Sequence, residues 1–209
     1  MKFYDCTPAP SPRRARIFIA EKGLKIENVQ IDLANREQLS PEFRALNPQC
    51  TVPVLELDDG TVITENEGIA HFLEAQYPEP PLLGRTPVEK GLVAMWNARV
   101  EFEGLTSVAE AFRNSAKGFA GRALTGPDGY DQIPELAERG RARTNRFLDM
   151  LNERLEGRDF VAIDSFSMAD ITALVVVEFS GWLKLPQEHA RPDLERWHKA
   201  VSARPSASA

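Results

Sequence analysis

Ser11, in the run Pro8-Ala9-Pro10-Ser11-Pro12, stands where a helix should open, because Ser is a favoured N-cap and Pro a favoured first helical residue. A hydroxyl there can accept from the helix N–H groups and still donate its own proton. Beside the positive end of a helix, that donor favours a thiolate over a thiol, and the thiolate is the nucleophilic form of sulfur. Thr7 is a second hydroxyl within reach of the same loop. Asn66 repeats the signature: it reads as the N-cap of a later helix, whose free N–H groups and partial positive charge suit a carboxylate. Val52-Pro53 reads as a proline at the first residue of a strand, a place that sheets tolerate. Arg13, Arg14 and Arg16 read as the solvated face of the first helix, with one of them available to neutralise an anion. Ser167-Met168-Ala169-Asp170 has the S-x-x-D spacing of a capping box, a structural device.

The elements that would position these groups follow from periodicity and punctuation. Lys2–Tyr4 reads as a strand, and a helix runs from Ser11-Pro12 through Ile17, Phe18 and Ala20 to Lys22, where Gly23 stops it. Val29, Ile31 and Leu33 alternate with polar residues, as in a half-buried strand. Ser40-Pro41 opens a short helix that Asn47-Pro48 closes. Val54–Leu57 and Val62–Thr64 flank the turn Asp58-Asp59-Gly60 as a hairpin, and Ile69, Phe72, Leu73 and Tyr77 recur at helical spacing. The order βαβαββα suits a small mixed sheet covered by helices. Residues 78–87, with four prolines and one glycine, read as a linker. Beyond them strand alternation stops. A long helix from Val88 to about Lys117, a break at 118–134, a helix with Phe147, Leu148, Leu151 and Leu155 on one face, a third from Ser167 and a fourth from Pro192 to about Ala203 make a helical bundle.

The segment TVPVLELDDGTVITENEGIAHFLEAQY, together with YDCTPAPSPRRARIFIAEKGL and FVAIDSFSMADITA, resembles the cytosolic glutathione transferases over nearly the whole chain. The resemblance implies a thioredoxin-like α/β domain over 1–78, a linker at 79–87 and an all-α domain over 88–209. It also implies a cis bond at Val52-Pro53, with the Val52 backbone pairing to the cysteinyl part of glutathione. The glutamyl carboxylate would sit at Asn66 and its amine at Glu65, and Ser11 would stabilise the thiolate. The family usually has Ser or Thr where this chain has Asn66, and Lys where it has Thr51. The glycyl carboxylate is left to Arg36 or Gln38. Ser11 falls where some members carry Cys. Glu101 and Glu103 correspond to acidic residues that in some members face a partner subunit's glutathione, though solvation is the commoner role.

Composition bounds the rest. A net charge of -6 disfavours binding along a nucleic-acid backbone. The two cysteines, Cys6 and Cys50, belong to no CxxC pair and no metal spacing. Cys50 lies among the uncharged Pro48, Gln49, Thr51 and Val52, which argues against a reactive thiol. No run approaches a membrane span and no signal peptide opens the chain, so a soluble cytoplasmic protein is expected. The expected partners are glutathione as co-substrate, with no further cofactor and no metal, and a small electrophile. A second copy of the chain is also expected, docked along the helix from Val88 through Val93, Met95, Trp96, Val100, Phe102 and Leu105. Trp96, Trp182 and Trp197 read as core or interface packing. Conjugation is the leading activity; the alternatives are a glutathione-dependent disulfide or peroxide reductase and a non-catalytic glutathione-binding module.

Overall fold

The computed structural model describes residues 1–186 and 189–209. Strands β1 (Lys2–Asp5), β2 (Glu27–Gln30), β3 (Val54–Glu56) and β4 (Val62–Thr64) form one sheet in the order β2-β1-β3-β4. β1 runs parallel to β2, and the β1–β3 and β3–β4 pairs are antiparallel. Helices α1 (Pro10–Glu21) and α3 (Asn66–Gln76) cover one face, burying Ile17, Phe18, Ile69 and Leu73 against Phe3 and Leu55. Helix α2 (Pro41–Leu46) covers the other, where Phe43 packs with Ile31, Val52 and Val54. As its Ser-Pro start implies, α2 is capped by Ser40, whose side chain accepts from the Phe43 N–H at 3.1 Å.

Two helix starts differ from the sequence reading. α1 begins at Pro10 with Ala9 as N-cap, which puts Ser11 at the second helical position with no capping bond. Three prolines stand together here, and the earliest that can be N1 takes that place, since its missing N–H would be unpartnered there in any case. α3 begins at Asn66, with Glu65 as N-cap. In both cases the polar side chain leaves its own backbone free and turns to another element.

The proline-rich stretch is pinned. The Lys22 side chain is fully buried and pairs with Glu74 at 2.5 Å. Its Nζ also donates to the carbonyls of Tyr77 at 2.7 Å and Pro80 at 2.6 Å. The same carboxylate accepts from the Leu82 N–H at Oε2, the oxygen that pairs with Lys22, and from the Leu83 N–H at Oε1.

Beyond the sheet domain the described elements are helices, apart from an isolated bridge between Arg122 and Tyr130. α4 (Pro87–Arg99), a π-helical turn (Val100–Leu105) and α5 (Thr106–Ser115) run on as one rod, so the long helix read from the sequence carries a π insertion. Gly104 sits inside it because a Cβ would come 2.7 Å from the Phe147 ring. α6 (Pro134–Arg154) lies against α5 so closely that a Cβ on Gly140 would come 2.6 Å from the Ala111 nitrogen. α7 (Met168–Ser180) is buried almost all round and touches α1, α4 and α8 (Pro192–Ser202). It is the spine joining the helical part to the sheet part.

Trp96 and Trp197 are buried as expected. Trp182 is 50% exposed, and with Phe112 and Phe179 it forms an edge-to-face cluster at the end of α7. No described helix is long and apolar enough to cross a membrane.

Candidate functional site

The sheet register brings the candidate residues together. Tyr4 pairs with Val54, and Val54 with Thr64. The loop after β1, the approach to β3 and the exit from β4 therefore share one end of the sheet. Residues 6–11, 51–53 and 65–66 meet there, although more than fifty positions separate the first group from the last.

At the centre, Asn66 Nδ2 donates to Ser11 Oγ at 3.1 Å. The first turns of α1 and α3 thus abut, which brings the positive ends of two helices together. Asn66 is 3% exposed, and its Oδ1 has no hydrogen-bond partner. Thr7 is engaged otherwise: its N–H and its hydroxyl both meet Gln30 Oε1 at 2.9 Å. Its proton is therefore used within the first domain.

The peptide bond Val52-Pro53 is cis. Val52 is 8% exposed, and among the described residues neither its N–H nor its carbonyl has a backbone partner. Glu65 is exposed and held at φ 63, ψ 140. A non-glycine residue in so sparsely populated a region costs on the order of 1–3 kcal/mol, and such strain collects at ligand clamps. Of the two candidates for the glycyl carboxylate, Gln38 is 6% exposed with an unpartnered Oε1, whereas Arg36 is solvent-exposed. Asn47 Nδ2 donates to the Thr51 carbonyl at 2.9 Å and fixes the loop before Val52.

The arginines correct the sequence reading, which placed them on a solvated face. Arg14 is 5% exposed and pairs with Glu101 of the π turn. Arg13 pairs with Glu178 of α7 and donates to the Ala207 carbonyl at 3.1 Å. Arg16 binds the fully buried Asp5 at 2.6 Å and the Thr7 carbonyl at 2.9 Å, which ties down the loop after β1. All three turn inward because α1 lies between the sheet and α7, and its polar side faces the seam between the two halves. Periodicity along one helix does not reveal that neighbour. Glu101 accordingly faces its own first domain, while Glu103 lies near Arg99 at 3.6 Å. The Glu178 carboxyl is held below its ordinary range, chiefly by His198 and then by Arg13.

Both cysteines are unpaired and buried. Burial pushes the Cys6 thiol up from its ordinary value. Cys50 is 3% exposed, and its sulfur lies 3.6 Å from the Pro48 carbonyl.

Comparison with known proteins bears on the family and the fold. Residues 9–76 match the glutathione S-transferase N-terminal domain, and residues 105–205 match the glutathione S-transferase C-terminal domain. Glutathione S-transferase 2 of Saccharomyces cerevisiae is 38% identical over 209 residues, covering 99% of this chain and 87% of that protein. The chain belongs to the glutathione S-transferase family. A Drosophila melanogaster glutathione S-transferase is 30% identical over 95% of this chain and 83% of its own length. The crystal structure of a glutathione S-transferase domain-containing protein from Marinobacter aquaeolei superposes with a TM-score of 0.90 at 34% identity, covering 99% of each chain. The α/β first domain and helical second domain expected from the sequence are those of this family, and the chain is an enzyme of the transferase class with glutathione as substrate.

Proposed function

We propose that this transferase joins the glutathione thiolate to small hydrophobic electrophiles, with Ser11 donating a hydrogen bond to the sulfur. In this reading residues 1–78 bind glutathione, 79–87 connect, and 88–209 supply the electrophile's side of the cleft. Val52 and Pro53 meet the cysteinyl backbone, Asn66 and the start of α3 meet the glutamyl carboxylate, and Glu65 meets the amine. The observation that carries it is the Ser11–Asn66 contact at 3.1 Å between two helix starts. It sets a hydroxyl and two positive helix ends around one point, where a sulfur anion is stabilised electrostatically.

An aromatic cluster in the helical domain offers an apolar wall. Phe179 follows Glu178, the partner of Arg13, so the cluster of Phe112, Phe119, Phe179 and Trp182 lies at the end of α7 that meets the start of α1. Flat apolar electrophiles suit such edge-to-face aromatics. The reductase reading needs a reactive cysteine, and the burial of Cys6 and Cys50 weighs against it. The cytoplasm suits a chain whose two cysteines are free thiols.

The working unit in this reading is a homodimer. Val93, Trp96 and Val100 are buried in the protein's own core, which leaves Met95 at 46% and Phe102 at 71% exposed to meet a second copy.

The test is Ser11→Ala assayed with a generic electrophile at saturating glutathione. Loss of one preorganised donor should lower turnover by roughly 10²–10³ with little change in glutathione affinity. Unchanged turnover would refute the role.

A further inference from the structure

The hydroxyl of Ser11 has a second neighbour on its own helix. Arg14, one turn along α1, donates from Nη2 to Ser11 Oγ at 3.4 Å, while its Nη1 pairs with Glu101. Together with the Asn66 amide at 3.1 Å, two donors converge on one oxygen. A serine hydroxyl has two acceptor sites and a single proton. When both sites accept, the O–H bond must point away from Asn66 and Arg14. We propose that Arg14 is a positioning residue for the transfer reaction. With Asn66 it saturates the Ser11 oxygen and aims the hydroxyl proton at the glutathione sulfur, while Glu101 sets how strongly Arg14 polarises that hydroxyl. This rests on the reading of Ser11 as the donor to that sulfur.

Three features fit this role. The guanidinium is buried, so its field on Ser11 is weakly screened. Its Nε and the Asn66 Oδ1 are buried without hydrogen-bond partners, an arrangement that stability alone disfavours. Glu101 comes from the π-helical turn, and such insertions recur at functional sites. It is the partner through which the helical domain reaches the catalytic hydroxyl. The other charged groups packed around the start of α1 are matched elsewhere: Arg13 with Glu178, which His198 also faces, and Arg16 with Asp5. Glu65, at the start of α3, is exposed. Arg14 and Glu101 are therefore the pair whose balance bears on Ser11.

The readout is the ionisation of the glutathione thiol in the binary complex, followed by thiolate absorbance against pH, alongside the acid limb of kcat/KM. Arg14→Met should move both upward by about one pH unit, which lowers kcat/KM about tenfold at pH well below that limb. Glutathione affinity by calorimetry should stay within about threefold, below the order of magnitude that loss of a direct charge-assisted bond produces. Glu101→Gln keeps the side-chain shape and removes the opposing charge, so it should move the ionisation downward. Opposite shifts cannot come from a merely structural role, which would damage the site in the same direction twice. In a Ser11→Ala background both shifts should vanish.

Shifts of the same sign, or an Arg14→Met shift that persists without the Ser11 hydroxyl, would overturn the inference. So would a normal profile for Arg14→Met when Ser11→Ala alone moves the ionisation, and in that case the reading of Ser11 stands. If Ser11→Ala itself moves nothing, the Ser11 reading falls, and the role of Arg14 falls with it.

Discussion

Asp170 offers the sharpest test of how the helical domain is held together. Its carboxylate is fully buried and accepts from the Val161 N–H at 2.8 Å, the Ser167 N–H at 3.1 Å, the Ser167 hydroxyl at 3.0 Å and the Trp197 indole at 3.1 Å. One side chain thereby caps α7, fixes the loop before it and anchors α8. Asp170→Ala strands these donors in the interior. Each buried unsatisfied group costs about 1–3 kcal/mol, and because neighbours relax together the sum is not additive. A loss of about 3 kcal/mol at pH 7 is expected, which for a chain of this size lowers Tm by roughly 6–12 °C.

The pH dependence has a definite sign. Burial outweighs the donors and pushes the Asp170 carboxyl up from 3.8 to about 6. A raised folded-state pKa gives stability that is fully present below the unfolded value and is lost as pH rises through the folded one. A shift of about two pKa units, at 1.36 kcal/mol each, makes the parent's advantage over Asp170→Ala roughly 2 kcal/mol larger at pH 4 than at pH 7, because at pH 4 the unfolded carboxyl is already partly ionised. Urea unfolding of both proteins at intervals from pH 4 to 8 measures that difference directly. An advantage that is flat, or that grows with pH, would show that the four hydrogen bonds dominate desolvation and would refute the argument.

Three further outcomes are expected. Glu65→Gln should raise the glutathione dissociation constant about tenfold by calorimetry, because a charge-assisted bond contributes roughly 1.5–3 kcal/mol and this exposed site screens part of it; equal affinity for variant and parent would remove Glu65 from the site. Cys50→Ser should leave conjugation intact, since that thiol is buried and its neighbours in sequence are uncharged, and selective loss of disulfide reduction in the variant would favour the reductase reading instead. Light scattering at micromolar concentration should give about twice the monomer mass of 23.3 kDa, and Phe102→Glu should shift it toward the monomer by placing a charge in an apolar seam.

Local chemistry made much of the fold legible. Ser40-Pro41 marks α2 and Ser167 with Asp170 marks α7, because a cap or a fixed φ acts within one turn and needs no distant partner. The hairpin around Gly60, at φ 84, and the helix stop at Gly23, at φ 66, were readable for the same reason. The residues of the candidate site were also named by sequence: Ser11, Val52, Pro53, Glu65 and Asn66.

Their relation was not. Ser11 and Asn66 each looked like the cap of its own helix, and only the β1–β3–β4 register sets one against the other across the ends of both helices. Arg13, Arg14 and Arg16 read as a solvated face, since a helix on its own shows which side is polar and never what that side will meet. Tertiary packing laid that side between the two domains, where Arg13 found Glu178 on α7 and Arg14 found Glu101 on the π turn, while Arg16 turned back to Asp5 on β1. Hydrogen bonds between elements depend on orientation to within a fraction of an ångström. The pattern of residue types fixes which segments fold, and only the packed structure decides which polar groups they hold against one another.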